Sequence, residues 1–242
     1  MTTSFEKYSD ILLEAHQSNA RADELATKKK EILDKIFSFY NIDPSNTLFV
    51  GFSPALFKYK GQDLCVTQVS DTVRRYLTTE HVSFTYVDFE HIKEKQFSAV
   101  IAFDEYFTFA ETDAEQRSQV ERLVALAKNF VLTTLKDYKN QDFKEKEFSN
   151  PIVLKDSNNS KKIFFEHYEY NQPDRNTFQA TNYIVDEESV MLVGPFFRRA
   201  MFFKQLAKFG LDAGASNFLV HKNLMYKSTI KKNYEHIITI EV

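Results

Sequence analysis

Three consecutive residues, Asp104-Glu105-Tyr106, follow the apolar run Phe97-Ser98-Ala99-Val100-Ile101-Ala102-Phe103. A carboxylate at the end of such a run, kept from water by Phe103, Phe107 and Phe109, can serve as a general base or orient an amine acceptor. The same residues can equally cap a turn beside an aromatic cluster. A further acid, Asp88, ends the run Val82-Ser83-Phe84-Thr85-Tyr86-Val87, and Thr133-Thr134-Leu135-Lys136-Asp137-Tyr138 finishes another with polar groups. Later in the chain, Phe196-Phe197-Arg198-Arg199-Ala200-Met201-Phe202-Phe203-Lys204 interleaves bases with aromatics. Arginines pair with phosphates and exposed rings stack on nucleobases, although Phe and Met at this spacing more commonly pack a core. Tyr168, Tyr170, Phe178 and Tyr183 offer a recognition surface, or simply the alternation of a half-buried strand.

Several chemistries are disfavoured. The histidines (His16, His81, His91, His167, His221 and His236) show no metal-ligand spacing, and Cys65 is the single cysteine, so neither a metal site nor an internal disulfide is expected. Neither a GxxxxGK phosphate loop nor a GxSxG elbow is present, which disfavours nucleotide hydrolysis and esterase chemistry. No apolar stretch approaches the roughly 18 to 20 residues that span a bilayer, and the first residues lack the apolar core of a signal peptide, so no membrane association and a cytoplasmic location are expected. The net charge of −3 hides a segregation. Nine acids against Lys93 and Lys95 lie between Glu80 and Glu115; eight bases against Asp212 lie within 196–233. That basic segment either attracts an anionic partner, nucleic acid first, or solvates helix faces and strand edges.

These residues must be held by a recognisable framework. Continuous apolar runs at 47–52, 64–69, 82–88, 97–105 and 130–134 read as buried parallel strands, with helices at 71–78 and 114–129 between them. Ligands of open α/β sheets bind beyond the carboxyl ends of the strands, which is where the polar residues above fall. Ahead of the sheet, residues 1–45 read as a helical extension: Thr3 and Glu6 form a capping box, and Ile11, Leu12 and Ala15 a stripe. A second helix carries Leu25, Ile32, Leu33, Ile36, Phe37 and Tyr40 and stops before Pro44. Residues 162–170 and 177–185 read as an antiparallel hairpin, with a third strand at 189–193. Gly194-Pro195 then opens a predicted helix over 196–209, stopped by Gly210, and strands near 217–226 and 236–242 close the chain. The fold class is therefore α/β: a doubly wound, mostly parallel sheet in one domain, 46–242, with an antiparallel insertion at 161–194.

On this order, and on Leu48-Phe49-Val50-Gly51, Tyr86-Val87-Asp88-Phe89 and Val100-Ile101-Ala102-Phe103-Asp104-Glu105, the chain resembles the Rossmann-like class I S-adenosylmethionine-dependent methyltransferases. The resemblance implies S-adenosylmethionine as cofactor. Gly51, Phe52 and Ser53 would lie near its methionine part, Asp88 and Phe89 would flank its adenine, and Asp104, Glu105 and Tyr106 would stand near the transferring methyl. Three departures accompany it. Gly51 is followed by Phe52-Ser53-Pro54-Ala55 with no second glycine, the connection to the second strand is short, and Ser70 stands where an acid would hold the ribose. Asp71, next in line, either substitutes for that acid or opens a helix. Two functions stand: a methyltransferase whose acceptor is nucleic acid, or a non-catalytic binding or assembly protein that keeps the fold. The second expects Phe52, Pro54 or Phe57 to fill the cofactor cleft.

Overall fold

Short runs with no polar interruption form the centre of the molecule because both faces of each strand are covered. The computed structural model describes residues 3–17, 22–103, 105–136, 146–149, 151–155, 161–170, 176–221, 226–227 and 234–242. Strands β1 (Thr47–Val50), β2 (Leu64–Thr67), β3 (Phe84–Tyr86), β4 (Phe97–Ala102) and β5 (Ala127–Lys136) are parallel. The C-terminal strand β13 (Tyr234–Glu241) pairs antiparallel with β5 and carries β11 (Asn217–Val220) and β12 (Tyr226–Lys227). The order along the sheet is β3-β2-β1-β4-β5-β13-β11. It reverses direction between β1 and β4, the point at which such sheets bind ligands beyond their carboxyl ends.

Helices α2 (Ala22–Tyr40) and α3 (Asp71–Thr79) cover one face, where Leu33, Ile36, Val73 and Leu77 pack on Phe49, Val66 and Ile101. Helices α4 (Asp113–Leu126) and α5 (Phe203–Asp212) cover the other, with Val120, Leu123, Leu206 and Phe209 against Leu48, Val100 and Val131. Helix α1 (Ser4–Gln17) belongs to neither layer. Its reciprocal capping box forms as read, Thr3 N donating to Glu6 Oε2 at 2.7 Å and Glu6 N to Thr3 Oγ1 at 3.2 Å. The helix then lies across the carboxyl edge of the sheet, sending Leu13 into one core layer, Phe5 into the other, and Tyr8 and Ile11 toward a second sheet.

That second sheet is antiparallel, β6 (Lys146–Phe148), β7 (Ile152–Lys155), β8 (Lys161–Tyr170), β9 (Thr177–Val185) and β10 (Val190–Arg199), with β10-β9-β8-β6 in order and β7 also on β8. It runs wider than the expected 161–194 at both ends. The largest correction concerns 196–209. Residues 196–199 continue β10, paired with Ala180 to Thr177 of β9 after a register shift at the cis Gly194–Pro195 bond, and the helix begins only at Phe203. The reason is a two-residue period: Phe196 and Arg198 turn inward while Phe197 is 54% exposed. Helix α4 likewise ends at Leu126, three residues short of expectation, because Ala127 already takes extended backbone and joins β5.

One amide ties these parts together. Gln116, fully buried on α4, donates through Nε2 to the carbonyls of Phe107 (3.0 Å) and Arg199 (3.0 Å) and accepts from Gln205 Nε2 at 3.1 Å. Leucine fills the same volume but leaves those carbonyls unbonded. Gln116→Leu is expected to lower the unfolding free energy by about 1–3 kcal/mol, measured by urea denaturation.

Candidate active site

Gly51 ends β1 in a left-handed turn (φ +79°) that its lack of a side chain permits, and its N–H donates to the Thr67 carbonyl at 2.9 Å. The connection that follows is only a 3-10 turn, Pro54–Lys58, capped by Ser53, whose hydroxyl accepts from Ala55 N at 3.4 Å. Phe52 and Phe57 are buried in the core cluster beneath α2, both rings also meet His16 of α1, at 6.3 Å and 4.8 Å, and Pro54 opens the turn. Phe5 of α1 stands directly before Gly51. A Cβ at Gly51 would sit 2.5 Å from Phe5 Cε1 and Cζ, and the Phe5 ring meets Tyr106 edge-on at 5.0 Å and Phe109 at 5.3 Å.

At the end of β2, Ser70 caps α3 by accepting from Val73 N at 3.1 Å, while its hydroxyl donates to Asp10 Oδ1 of α1. Asp10 thus delivers a carboxylate to the position where the resemblance expects an acid. Asp71 does not: it faces solvent and pairs with Arg74 in the first turn of α3. Beside Ser70, Thr67 Oγ1 and Gln68 Oε1 are buried without a hydrogen-bond partner among the described residues, as is Thr134 Oγ1 on β5. The Gln68 side chain also reaches the Tyr106 hydroxyl, whose burial pushes its pKa far above the usual phenol and keeps it protonated. After β3, Asp88 is exposed, accepts from Glu90 N at 3.2 Å, and lies 2.9 Å from His91 Nδ1, a contact that holds its carboxyl below the usual range. Phe89 is half-buried and its carbonyl accepts from Arg122 Nη2 at 2.8 Å.

Asp104 lies outside the described residues. Glu105 takes left-handed backbone (φ 65°), is 5% exposed, and is ion-paired through one oxygen to Arg198 and through the other to Lys136. Both of its oxygens are thus engaged by cations, which join the end of β5 and the inner face of the antiparallel sheet to this turn. Arg198, 2% exposed, has the Tyr8 ring 4.5 Å and the Phe109 ring 4.2 Å from its guanidinium carbon. Nearby, the Tyr168 hydroxyl donates to Glu166 Oε2 at 2.5 Å, and burial first, then the Glu166 charge, raises the Tyr168 pKa well above its ordinary value.

The structure thus gathers Gly51, Tyr106 and Glu105 at one edge and leaves Asp71 and Asp88 on its solvent side. Sequence reasoning missed Asp10, Glu166, Asn182 and Arg198 as partners in this region. The alternation of β8 and β9 could have flagged two of them, since Glu166 and Asn182 occupy positions in phase with Phe164, Tyr168, Phe178 and Ile184.

No protein-family model matches the chain, and no curated protein sequence matches it. Solved structures do. The CcbJ methyltransferase from Streptomyces caelestis aligns at TM-score 0.65 and 13% identity, over 90% of this chain and 96% of its own. An S-adenosylmethionine-dependent methyltransferase from Clostridium acetobutylicum aligns at 0.63 and 11%, over 96% and 98%. The amino pentose methyltransferase CalS10 from Micromonospora echinaspora, solved with SAM bound, aligns at 0.60 and 11%, over 96% and 95%. At these identities the likeness is one of fold.

His16, at the far end of α1, supplies a pH signature for the seat of this helix. It stacks on Phe57 at 4.8 Å, and burial lowers its pKa from 6.5 against smaller opposing effects from Asp23 and Glu80. The folded state therefore binds fewer protons than the unfolded state, so this stabilisation is complete above pH 6.5 and is lost as pH falls through the lower folded-state value. Urea unfolding should show stability declining below pH 6.5, with a shallower decline in His16→Phe.

Proposed function

We propose that this chain, which has the class I methyltransferase fold, is an S-adenosylmethionine-dependent methyltransferase acting on a small molecule. The observation that carries the reading is the Asp10–Ser70 pair at the end of β2. A carboxylate and a hydroxyl at that edge suit the two hydroxyls of a ribose, and the Thr67 hydroxyl oxygen beside them is buried without a hydrogen-bond partner among the described residues. S-adenosylmethionine, when bound, supplies an electrophilic methyl group. The chain's own part is positional: Gly51 lets the turn pass close to a ligand, Asp88 offers an exposed acceptor toward the adenine side, and Tyr106 stays a protonated donor.

A small acceptor fits better than nucleic acid. Of the arginines in the basic segment 196–233, Arg198 is buried on Glu105 and so offers no phosphate contact, and Arg199 is ion-paired with Asp113 at 2.5 Å. The side chains of Lys222, Lys227, Lys231 and Lys232 lie outside the description. CalS10, of the same fold, is an amino pentose methyltransferase with SAM bound, which supports the same direction for this chain. Among the described residues no helix is long and apolar enough to cross a membrane.

A second reading, a binding or assembly protein that keeps the fold, draws on Phe5 standing before Gly51. Calorimetric titration with S-adenosylhomocysteine separates the two. The enzyme reading expects micromolar binding, weakened about 10-fold or more in Asp10→Asn through loss of a charged hydrogen-bond partner, and weakened in Asp88→Ala without loss of folding. Absence of binding at millimolar ligand, in the parent chain and in Phe5→Ala alike, assigns the non-catalytic reading.

A further inference from the structure

The inner face of the antiparallel sheet carries two apolar clusters separated by polar residues. At one side Phe164, Ile184 and Phe196 pack on Tyr8 and Ile11; at the other Tyr168, Tyr170, Phe178 and Ala180 pack on Ala200. Between Ala180 and Ile184, on the same inward side of β9, sits Asn182, 0% exposed. Its Oδ1 and Nδ2 both lack a hydrogen-bond partner among the described residues. Directly across on β8 is Glu166, 2% exposed, the register partner of Asn182. An amide that can donate twice and accept twice, buried with none of this used, opposes folding, and leucine would fill the place at lower cost. Folding alone gives no reason for it. Glu166, meanwhile, accepts one hydroxyl from Tyr168 and retains acceptor capacity of its own.

Resting on the methyltransferase reading above, we infer that Asn182 and Glu166 form the acceptor-recognition pair of this site and select a small saturated molecule bearing an amino group beside a hydroxyl, the chemistry of an amino sugar. A hydroxyl both donates and accepts, so it satisfies both ends of the Asn182 amide. An amine donates to the Glu166 carboxylate, and in its protonated form matches its charge. Residues directly opposite on adjacent antiparallel strands stand about 5 Å apart at Cβ, a span that neighbouring substituents of one six-membered ring can bridge. The rings of Tyr168, Tyr170 and Phe178, buried next to the pair, give it an apolar surrounding that matches the carbon face of such a ring.

The experiment pairs stability with binding. Asn182→Leu in the ligand-free protein is expected to raise the thermal midpoint by about 3 °C, because a buried unsatisfied amide is removed. Asn182→Val serves the same purpose with a smaller side chain should leucine overfill the position. Titrated calorimetrically with D-glucosamine in the presence of S-adenosylhomocysteine, the parent chain should bind at least 10-fold more tightly than it binds D-glucose or cyclohexylamine, and both variants should lose that preference. The inference is overturned if the variants are less stable and bind glucosamine as the parent does. It is equally overturned if cyclohexylamine binds as well as glucosamine, or if neither binds. Should S-adenosylhomocysteine fail to bind both the parent chain and Phe5→Ala, the methyltransferase reading falls, while the stability change and the glucosamine titration still decide what Asn182 is for.

Discussion

The ion pair between Glu105 and Arg198 joins the carboxyl edge of the parallel sheet to the inner face of the antiparallel one, and most of the local architecture answers its requirements. Charges this far from water cost several kcal/mol each to desolvate, so both must be closed in and saturated. Lys136 at the end of β5 takes the second Glu105 oxygen. The rings of Tyr8 and Phe109 lie against the guanidinium and replace water with polarisable π faces. The turn after Glu105 holds its left-handed backbone by sending the Thr108 N–H and hydroxyl to the Glu105 carbonyl, each at 2.8 Å. Helix α1 supplies Tyr8, so the pair cannot be dry unless α1 is seated. Sheet, insertion and helix are thereby interdependent at one point.

That interdependence decides what could be read from residues alone. The parallel strands were legible because a doubly covered strand has one signature, a short unbroken apolar run, and β1, β2 and β4 carry it. The capping box of α1 was legible because it needs only residues three apart. The stretch 196–209 was not. Phe-Phe-Arg-Arg satisfies a helical stripe and a two-residue alternation equally well, and the choice falls to β9, whose free edge binds it as a strand. Arg198 consequently changes from a surface base to a buried one, and its partner lies 93 residues earlier in the chain. β6 and β7 escaped notice because Lys146, Glu147 and Lys155 flank their few apolar residues, and such segments become strands only beside a longer one such as β8.

The candidate site divides along the same line. The strand-end residues Gly51, Glu105 and Tyr106 were found because topology places every carboxyl end at one edge. Asp10 was not, since it sits on the polar side of an amphipathic helix where acids ordinarily meet water. Only the packing of Phe5, Ile11 and Leu13 into three separate clusters fixes the rotation of α1 that sets Asp10 against Ser70. Asp71 shows the converse. Adjacent in sequence to the vacancy, it is carried outward by the first turn of α3 and pairs with Arg74.

Helix α1 therefore contributes two opposed features to the same edge. Phe5 fills the ground before Gly51, whereas Asp10 brings that edge the carboxylate its second strand lacks. The two residues lie five positions apart, somewhat more than one helical turn, so the helix cannot swing away to clear Gly51 without drawing Asp10 from Ser70. Phe5 is held there by edge-on ring contacts with Tyr106 and Phe109, the geometry aromatic pairs prefer. Asp10 and Ser70 are held by a hydrogen bond, which is directional as well. On the proposed reading, the first turn of α1 and the Asp10–Ser70 contact therefore make opposite demands at one edge.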